Sequence, residues 1–252
     1  MSWSSKKQFT YIGFLILFLA IFVVLPFYLL NQKEPTCFDG KKNGIESGVD
    51  CGGSCQKVCA FQAAKPIIHW DESFEIRPGI WSAAAYVENP NDAYALNVPY
   101  KFKLLDSDGV LVAERRGGAF IPPRQTFVVF ESGIEVGNRK PGQEFFEFSE
   151  SAIDWRQASG ANAFLNTSSA SLLERNNSTR LSAIISNPTT DSVNGILAWG
   201  ILYDINGNAL AVSESFISKL EAGDAETITF TWPEELASQA TKKEVLYAIS
   251  IE

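Results

Sequence analysis

Two stretches of this chain repeat one another and decide its fold. Residues 82–114 read SAAAYVENPNDAYALNVPYKFKLLDSDGVLVAE, and residues 181–214 read LSAIISNPTTDSVNGILAWGILYDINGNALAVSE. Asn187 lies 98 positions after Asn89, each before a proline, and Asp204 lies 98 positions after Asp106. Because two separated turn signals share one offset, the pattern indicates an internal duplication.

Each copy reads as strands separated by turns. The Asn-Pro pair ends a first strand, because proline has no N–H to donate and favours an extended residue before it. A second strand follows over 98–105 or 196–203, and the D-S-D-G and D-I-N-G turns then lead to a third. The alignment next reaches a strand ending in Phe130 or Phe230, which are 100 positions apart.

Short strands with regular turn signals are typical of β-sandwiches. We therefore expect an all-β chain with two tandem Ig/fibronectin-III-like β-sandwiches of about seven strands each. Domain 1 is predicted over 63–158 and domain 2 over 159–252. The order of strands and turns also resembles the LEA14-like and FxLYD-like sandwich domains of exported proteins, and this resemblance implies a fold rather than an activity.

An apolar run, FTYIGFLILFLAIFVVLPFYLL, precedes these repeats. At about 1.5 Å per residue it reaches roughly 33 Å, enough to cross a hydrocarbon core of about 30 Å. It is longer than the apolar region of a cleaved signal peptide and lacks a small-residue cleavage site, so we predict a transmembrane helix over 9–31 in contact with the lipid bilayer. Lys6 and Lys7 place residues 1–8 in the cytoplasm, which makes the rest of a single-pass protein extracytoplasmic.

All the cysteines lie in one short segment after this helix, within a predicted module over 32–62: Cys37, Cys51, Cys55 and Cys59. Outside the cell such clustering favours disulfides, although the close spacing of the last three is also compatible with zinc. Four cysteines allow three pairings, and the spacing does not choose among them. The pattern C-x-D-G-x-x-N-x-x-E-x-x-V-D-C-G-G-x-C resembles a cysteine-rich module of exported bacterial and archaeal proteins.

The same segment carries oxygen-bearing side chains that could suit calcium, which prefers several oxygen ligands. Their spacing is not that of an EF-hand, and side-chain hydrogen bonds that set turns are the alternative. We therefore predict no metal site, with four residues kept as calcium candidates: Asp39, Asn43, Glu46 and Asp50.

Composition and motifs exclude several functions. A net charge of −8 argues against a nucleic-acid partner, which requires a basic footprint. The single histidine, His69, has no second histidine to work with, and the chain has no G-x-S-x-G, P-loop or G-x-G-x-x-G motif. We expect a protein that is not an enzyme and that needs no cofactor.

One strand has an unusual pair of faces. In the first copy the outward positions of the second strand include Lys101 and Lys103, as on a solvated sheet. The equivalent positions of the second copy are all apolar: Leu197, Trp199, Ile201 and Tyr203. This face is predicted to be an interdomain contact or a protein-binding site, unless the register is slipped by one residue.

The sequence thus favours a non-catalytic, membrane-anchored protein that presents tandem sandwiches for protein interaction or adhesion at the cell envelope. A structural or assembly component of an envelope complex is the alternative, and a membrane-anchored enzyme comes third. The identity of the protein partner does not follow from the sequence.

Overall fold

The computed structural model describes residues 3–30, 34–158, 164–174, 177–236 and 239–250. The predicted boundary between domains 1 and 2 falls on residues outside this set, as do the predicted end of the transmembrane helix and the start of the cysteine-rich module. The chain divides into two compact units, Met1–Cys55 and Gln56–Glu252.

The N-terminal apolar run is helical throughout its described length. Helix α1, Trp3–Leu19, passes through a π-helical turn, Ala20–Val24, into helix α2, Leu25–Leu30. The wide turn lies just before Pro26, whose nitrogen has no hydrogen to donate to the preceding turn. Within this helix, Phe9–Tyr28 has a mean hydropathy of 2.6 and is long and apolar enough to cross a membrane.

The remaining described residues form thirteen strands and two short 3₁₀ turns, Ala60–Gln62 and Glu150–Ala152, so the predicted all-β class is confirmed. The first repeat contains β1 (Ile67–Arg77), β2 (Ile80–Glu88), β3 (Ala93–Leu105), β4 (Leu111–Ile121), β5 (Thr126–Glu135), β6 (Gln143–Phe148) and the short β7 (Arg156–Gln157). The second contains β8 (Asn166–Glu174), β9 (Thr179–Ser186), β10 (Val193–Tyr203), β11 (Ala209–Leu220), β12 (Ala225–Trp232) and β13 (Lys242–Ile249).

The two repeats share one topology. In the first, an antiparallel sheet β1-β2-β5 faces a sheet β4-β3-β6, and in the second β8-β9-β12 faces β11-β10-β13. Inward side chains from both sheets of each pair form a common core, including Val87 with Phe102 in the first and Ile185 with Leu202 in the second. Among the described residues each sandwich has six principal strands, where about seven are expected, and the first also has the two-residue β7, which pairs with β3.

The Asn-Pro turns do more than end a strand. Asn89 is 1% exposed and donates from Nδ2 to the carbonyl oxygens of Ala93 and Pro122 at 2.8 and 2.7 Å. Asn187 is equally buried and donates to the carbonyls of Asp191 and Leu220. In both repeats one buried amide thus ties the turn after β2 or β9 to a residue 33 positions further on, at the end of β4 or β11.

The aspartate turns are also equivalent. Asp106 Oδ1 accepts hydrogen bonds from the N–H groups of Asp108 and Val110 at 3.0 and 2.9 Å. Asp204 Oδ1 accepts from Asn206 and Asn208, both at 2.8 Å. The carboxylate closes the turn in each copy, which explains why this signal survives in both halves of the sequence.

The predicted equivalence of Phe130 and Phe230 is wrong by one residue. Ala83 pairs with Glu131, whereas Leu181, which lies 98 positions after Ala83, pairs with Phe230. Because side chains alternate along a strand, Phe230 lies in the core of its sandwich while Phe130 is on the opposite, partly open face. A register irregularity between Trp81 and Ala83 marks this part of the first repeat.

Candidate functional site between the two sandwiches

Strand β10 presents apolar side chains on both faces. Its inward residues Ile196, Ala198 and Leu202 belong to the core of the second sandwich. On the other face Trp199, Ile201 and Tyr203 are 2%, 0% and 5% exposed and belong to the cluster formed by the first sandwich, with Leu197 packed against it. The predicted apolar face therefore lies at the contact between the two sandwiches.

Strand β2 supplies much of the complementary surface. Its inward residues are core, yet its outward Ser82 and Ala84 are also buried, at 3% and 0% exposure. Small side chains at these positions leave room for large ones on the opposing sheet. Both β2 and β10 are thus central strands with both faces buried, and their alternating pattern is replaced by a nearly continuous apolar run.

Carboxylates satisfy the polar atoms of this interface. Trp199 donates from Nε1 to Glu214 Oε2 at 2.9 Å. Glu244 accepts from the hydroxyl groups of two tyrosines, Tyr203 at 2.8 Å in its own sandwich and Tyr86 at 3.2 Å in the other. One carboxylate therefore accepts from a tyrosine of each sandwich, and the hydrogen bond from Tyr86 crosses the contact.

The electrostatics keep both tyrosines protonated. Burial, followed by the charge of Glu244, raises the pKa of Tyr86 to about 12. Burial and the hydrogen bond to Glu244 also raise the pKa of Tyr203. Each phenol consequently remains a hydrogen-bond donor throughout the physiological pH range.

The equivalent face of the first sandwich is solvated. Lys101 pairs with Glu147 at 2.6 Å, and Lys103 lies 3.9 Å from the same carboxylate. All three side chains are at least a quarter exposed. The structure thus distinguishes two copies of one surface, one covered by a neighbouring sandwich and the other carrying surface ion pairs.

The cysteine-rich module is held by disulfides. Cys37 is bonded to Cys55, and Cys51 and Cys59 are disulfide-bonded as well, so no described cysteine carries a free thiol. A disulfide sulfur offers no thiolate to zinc, which removes the ligands that the zinc alternative needs.

The four calcium candidates form one hydrogen-bonded network. Asp50 accepts from the N–H groups of Asp39 and Gly40, and Asn43 donates from Nδ2 to Asp39 Oδ2 at 2.7 Å. Glu46 Oε2 accepts from the N–H of Asn43 at 3.2 Å. These carboxylate oxygens accept hydrogen bonds from the backbone and side chains of the turns.

A second carboxylate cluster closes one side of the first sandwich, where the edge strands β1 and β6 meet. Asp71 Oδ2 accepts from the N–H of Phe146 at 2.7 Å, and Ser73 donates to Glu144 Oε2 at 3.1 Å. Burial, followed by the charge of Glu72, raises the pKa of Glu144 to about 7. His69 lies at the exposed start of β1 and contacts Glu88 at 2.9 Å, away from this cluster.

The sequence pattern indicates the apolar face of β10 but not the polar partners of that face. Tyr86, Glu214 and Glu244 read as ordinary strand residues, because no sequence spacing identifies hydrogen-bond partners on different strands. Glu144 was missed because its partner Ser73 lies 71 positions away on another strand of the same sandwich. The one available signal was Tyr86, an aromatic residue at an outward position of β2.

Comparison with known proteins gives a limited result. No family model and no curated protein matches this sequence. Among solved structures, the chain is similar to a DUF1425 family member from Shewanella sp. pv-4, at 19% identity over 39% of this chain and 90% of that one, with a TM-score of 0.31. It is also similar to an exo-chitosanase from Amycolatopsis orientalis, at 12% identity and a TM-score of 0.19. This match covers 66% of this chain and 21% of the enzyme.

Replacing Trp199 with alanine is expected to destabilise the interface. The side chain is nearly fully buried, so we expect a loss of about 3–5 kcal/mol in the free energy of unfolding. Chemical denaturation of the full chain in detergent, followed by far-ultraviolet circular dichroism, should show the transition divide as the two sandwiches lose their coupling.

Phe216→Ala is the matched control, because Phe216 is an aromatic residue of the adjacent strand β11 that is 60% exposed. It should change the free energy of unfolding by less than about 0.5 kcal/mol. Equal effects of the two substitutions would contradict the interdomain role of Trp199.

The Glu144 carboxyl predicts a specific pH dependence. Its folded pKa of about 7 lies above the ordinary value of 4.5, so the folded state binds more protons between these values. Stability should therefore fall as pH rises from about 4.5 to about 7. Glu144→Gln should flatten this part of the pH profile measured by thermal unfolding, whereas Glu226→Gln, an exposed control on β12, should leave it unchanged. An unchanged slope in Glu144→Gln would refute the assignment.

Proposed function

We propose that this protein is a non-catalytic, membrane-anchored protein that holds two rigidly coupled β-sandwiches outside the cytoplasm for binding another protein. The observation that carries the proposal is the burial of the apolar face of β10 against the first sandwich. That contact converts two small domains into one body, which can present a surface of fixed geometry.

Export is supported by the combination of an apolar N-terminal helix with a disulfide-bonded β-rich chain. Disulfides persist in oxidising compartments and are rare in the cytosol. In the proposed topology residues 9–31 remain in the bilayer as an anchor, residues 1–8 stay in the cytoplasm, and the cysteine-rich module and sandwiches are extracytoplasmic. The charges of Lys6 and Lys7 support this orientation.

A binding role is favoured over catalysis by the disposition of the ionisable side chains. The buried carboxylates have structural partners: Glu244 joins two tyrosines, and Asp71 accepts a backbone N–H. His69 is exposed, contacts Glu88 at 2.9 Å and lies edge-on to the ring of Tyr86 at 5.9 Å between centroids. We therefore infer a protein without a catalytic centre or a cofactor.

The experiment combines topology and partner capture in the same cells. p-Benzoylphenylalanine is introduced at Phe145 or Phe216, two aromatic residues that are 54% and 60% exposed on different sheets. Irradiation should produce an adduct with an extracytoplasmic protein from at least one position. In parallel, maleimide–polyethylene glycol should label no cysteine before reduction, and external protease should digest the sandwiches in spheroplasts.

The controls separate the parts of the proposal. Incorporation at Phe164, which is also exposed but lies at the chain segment before β8, tests whether capture depends on position. Four reactive thiols and a protease-protected ectodomain would contradict the topology. If the protein formed adducts only with other copies of itself, or only with proteins bound around its membrane helix, a structural component of an envelope complex would be supported instead.

A further inference from the structure

A cleft of about 260 Å³ opens beside the interdomain contact. Strands β1 and β5 of the first sandwich form one wall, and β11 with the end of β12 forms the other. Its volume lies below the roughly 300–1,000 Å³ of pockets that take drug-sized ligands. The size of the cleft thus suits the binding of a single protein side chain.

The walls are mainly apolar and partly aromatic. Phe74 and Phe130 contribute rings from the first sandwich, and Leu210, Val212 and Trp232 line the second. Phe130 is available here because the register of β5 directs it outward, away from the core position that Phe230 occupies in the second repeat. The faces of aromatic rings attract cations as well as apolar groups.

The charged lining residues are all acidic. Glu75, Glu214 and Glu234 line the cleft, and no lysine, arginine or histidine of the described ranges does. Glu75 lies 3.4 Å from Lys140, while neither Glu214 nor Glu234 forms an ion pair among the described residues. Burial raises the pKa of the Glu214 carboxyl. The hydrogen bond from Trp199 lowers this pKa in part, and the nearby charge of Glu131 raises it further. A cation would therefore relieve an unfavourable charge.

Trp232 provides a second, independent observation. Its side chain is 6% exposed, and its indole nitrogen is one of two buried side-chain polar atoms without a hydrogen-bond partner among the described residues. Buried donors in native proteins are nearly always paired, so an unpaired one requires an explanation. Because Trp232 lines the cleft, its indole group reports on whether the cleft is occupied.

We propose that this cleft binds an arginine side chain presented by an extended, partly apolar segment of the partner protein. The aliphatic stem would pack between Phe74, Phe130 and Leu210, and the guanidinium would meet Glu214 and Glu234. Arginine fits better than lysine, because its planar group stacks on aromatic rings and pairs with carboxylates through two hydrogen bonds. This inference deepens the proposed function and rests on it.

The experiment uses the full chain in detergent micelles, labelled with ¹⁵N-tryptophan. The probe is acetyl-Ile-Arg-Ile-amide. Three peptides that have Lys, Gln or Glu at the central position serve as comparisons. The arginine peptide should shift the Trp232 indole resonance, assigned through Trp232→Phe, in a saturable titration. Binding should weaken in the order Arg, Lys, Gln and Glu.

Matched variants test the charge. Glu214→Gln and Glu234→Gln should each weaken binding of the arginine peptide about threefold to tenfold, as expected for loss of one partly exposed charge partner. Glu226→Gln, exposed on β12 outside the cleft, should not change it. The Gln peptide should bind all four proteins alike.

Two results would overturn the inference: no saturable shift of Trp232 with any peptide, or equal binding of the Arg and Gln peptides. After either result the proposed function would still hold if photo-crosslinking captures an extracytoplasmic partner and Glu214→Gln does not reduce that capture. Loss of crosslinking at every position, with saturable binding of the arginine peptide, would count against the proposed function instead.

Discussion

The arrangement of this protein depends on covering one face of one strand. Strand β10 cannot leave Trp199, Ile201 and Tyr203 in water without exposing a contiguous apolar patch, and its other face already forms the core of the second sandwich. The first sandwich meets this demand with the small outward residues of β2 and with Tyr86. Glu244 then satisfies the tyrosine hydroxyls at the edge of the contact, so burial does not leave these donors unpaired.

The outer surfaces of the two sandwiches differ from the apolar face buried between them. Tandem repeats need polar outer surfaces at their ends, or the interface would propagate to further copies. The β4-β3-β6 face of the first sandwich carries the Lys101–Glu147 ion pair where the second has tryptophan and isoleucine. At the other end, the outward residues of β9 and β12 are mainly hydroxylated, including Ser182, Thr227 and Thr229. These two outer surfaces are therefore unlike the apolar face of β10, and the cleft lies beside the contact that buries that face.

Much of this could be predicted from local pattern. The shared offset gave the duplication, alternation along β10 gave its two faces, and the uninterrupted apolar run gave the N-terminal helix. The register of β5 could not be predicted, because it depends on an irregularity opposite Trp81 rather than on periodicity. The packing inside each core could not be predicted either. Gly200 stands at the position equivalent to Phe102, and the ring of Phe230 fills the space. A Cβ at Gly200 would lie 2.6 Å from that ring. The surface that covers Trp199 depends on tertiary packing, which no single strand encodes.

The most direct test of the central claim, that the sandwiches form one body, is a distance distribution between them in the full chain. Spin labels attached through p-acetylphenylalanine at Arg116 on β4 and Glu226 on β12 avoid the native cysteines and lie on exposed positions of the two sandwiches. Double electron–electron resonance should give a single narrow distribution that broadens in Trp199→Ala. A broad distance distribution in the labelled protein that retains Trp199, and that Trp199→Ala does not change, would contradict the account.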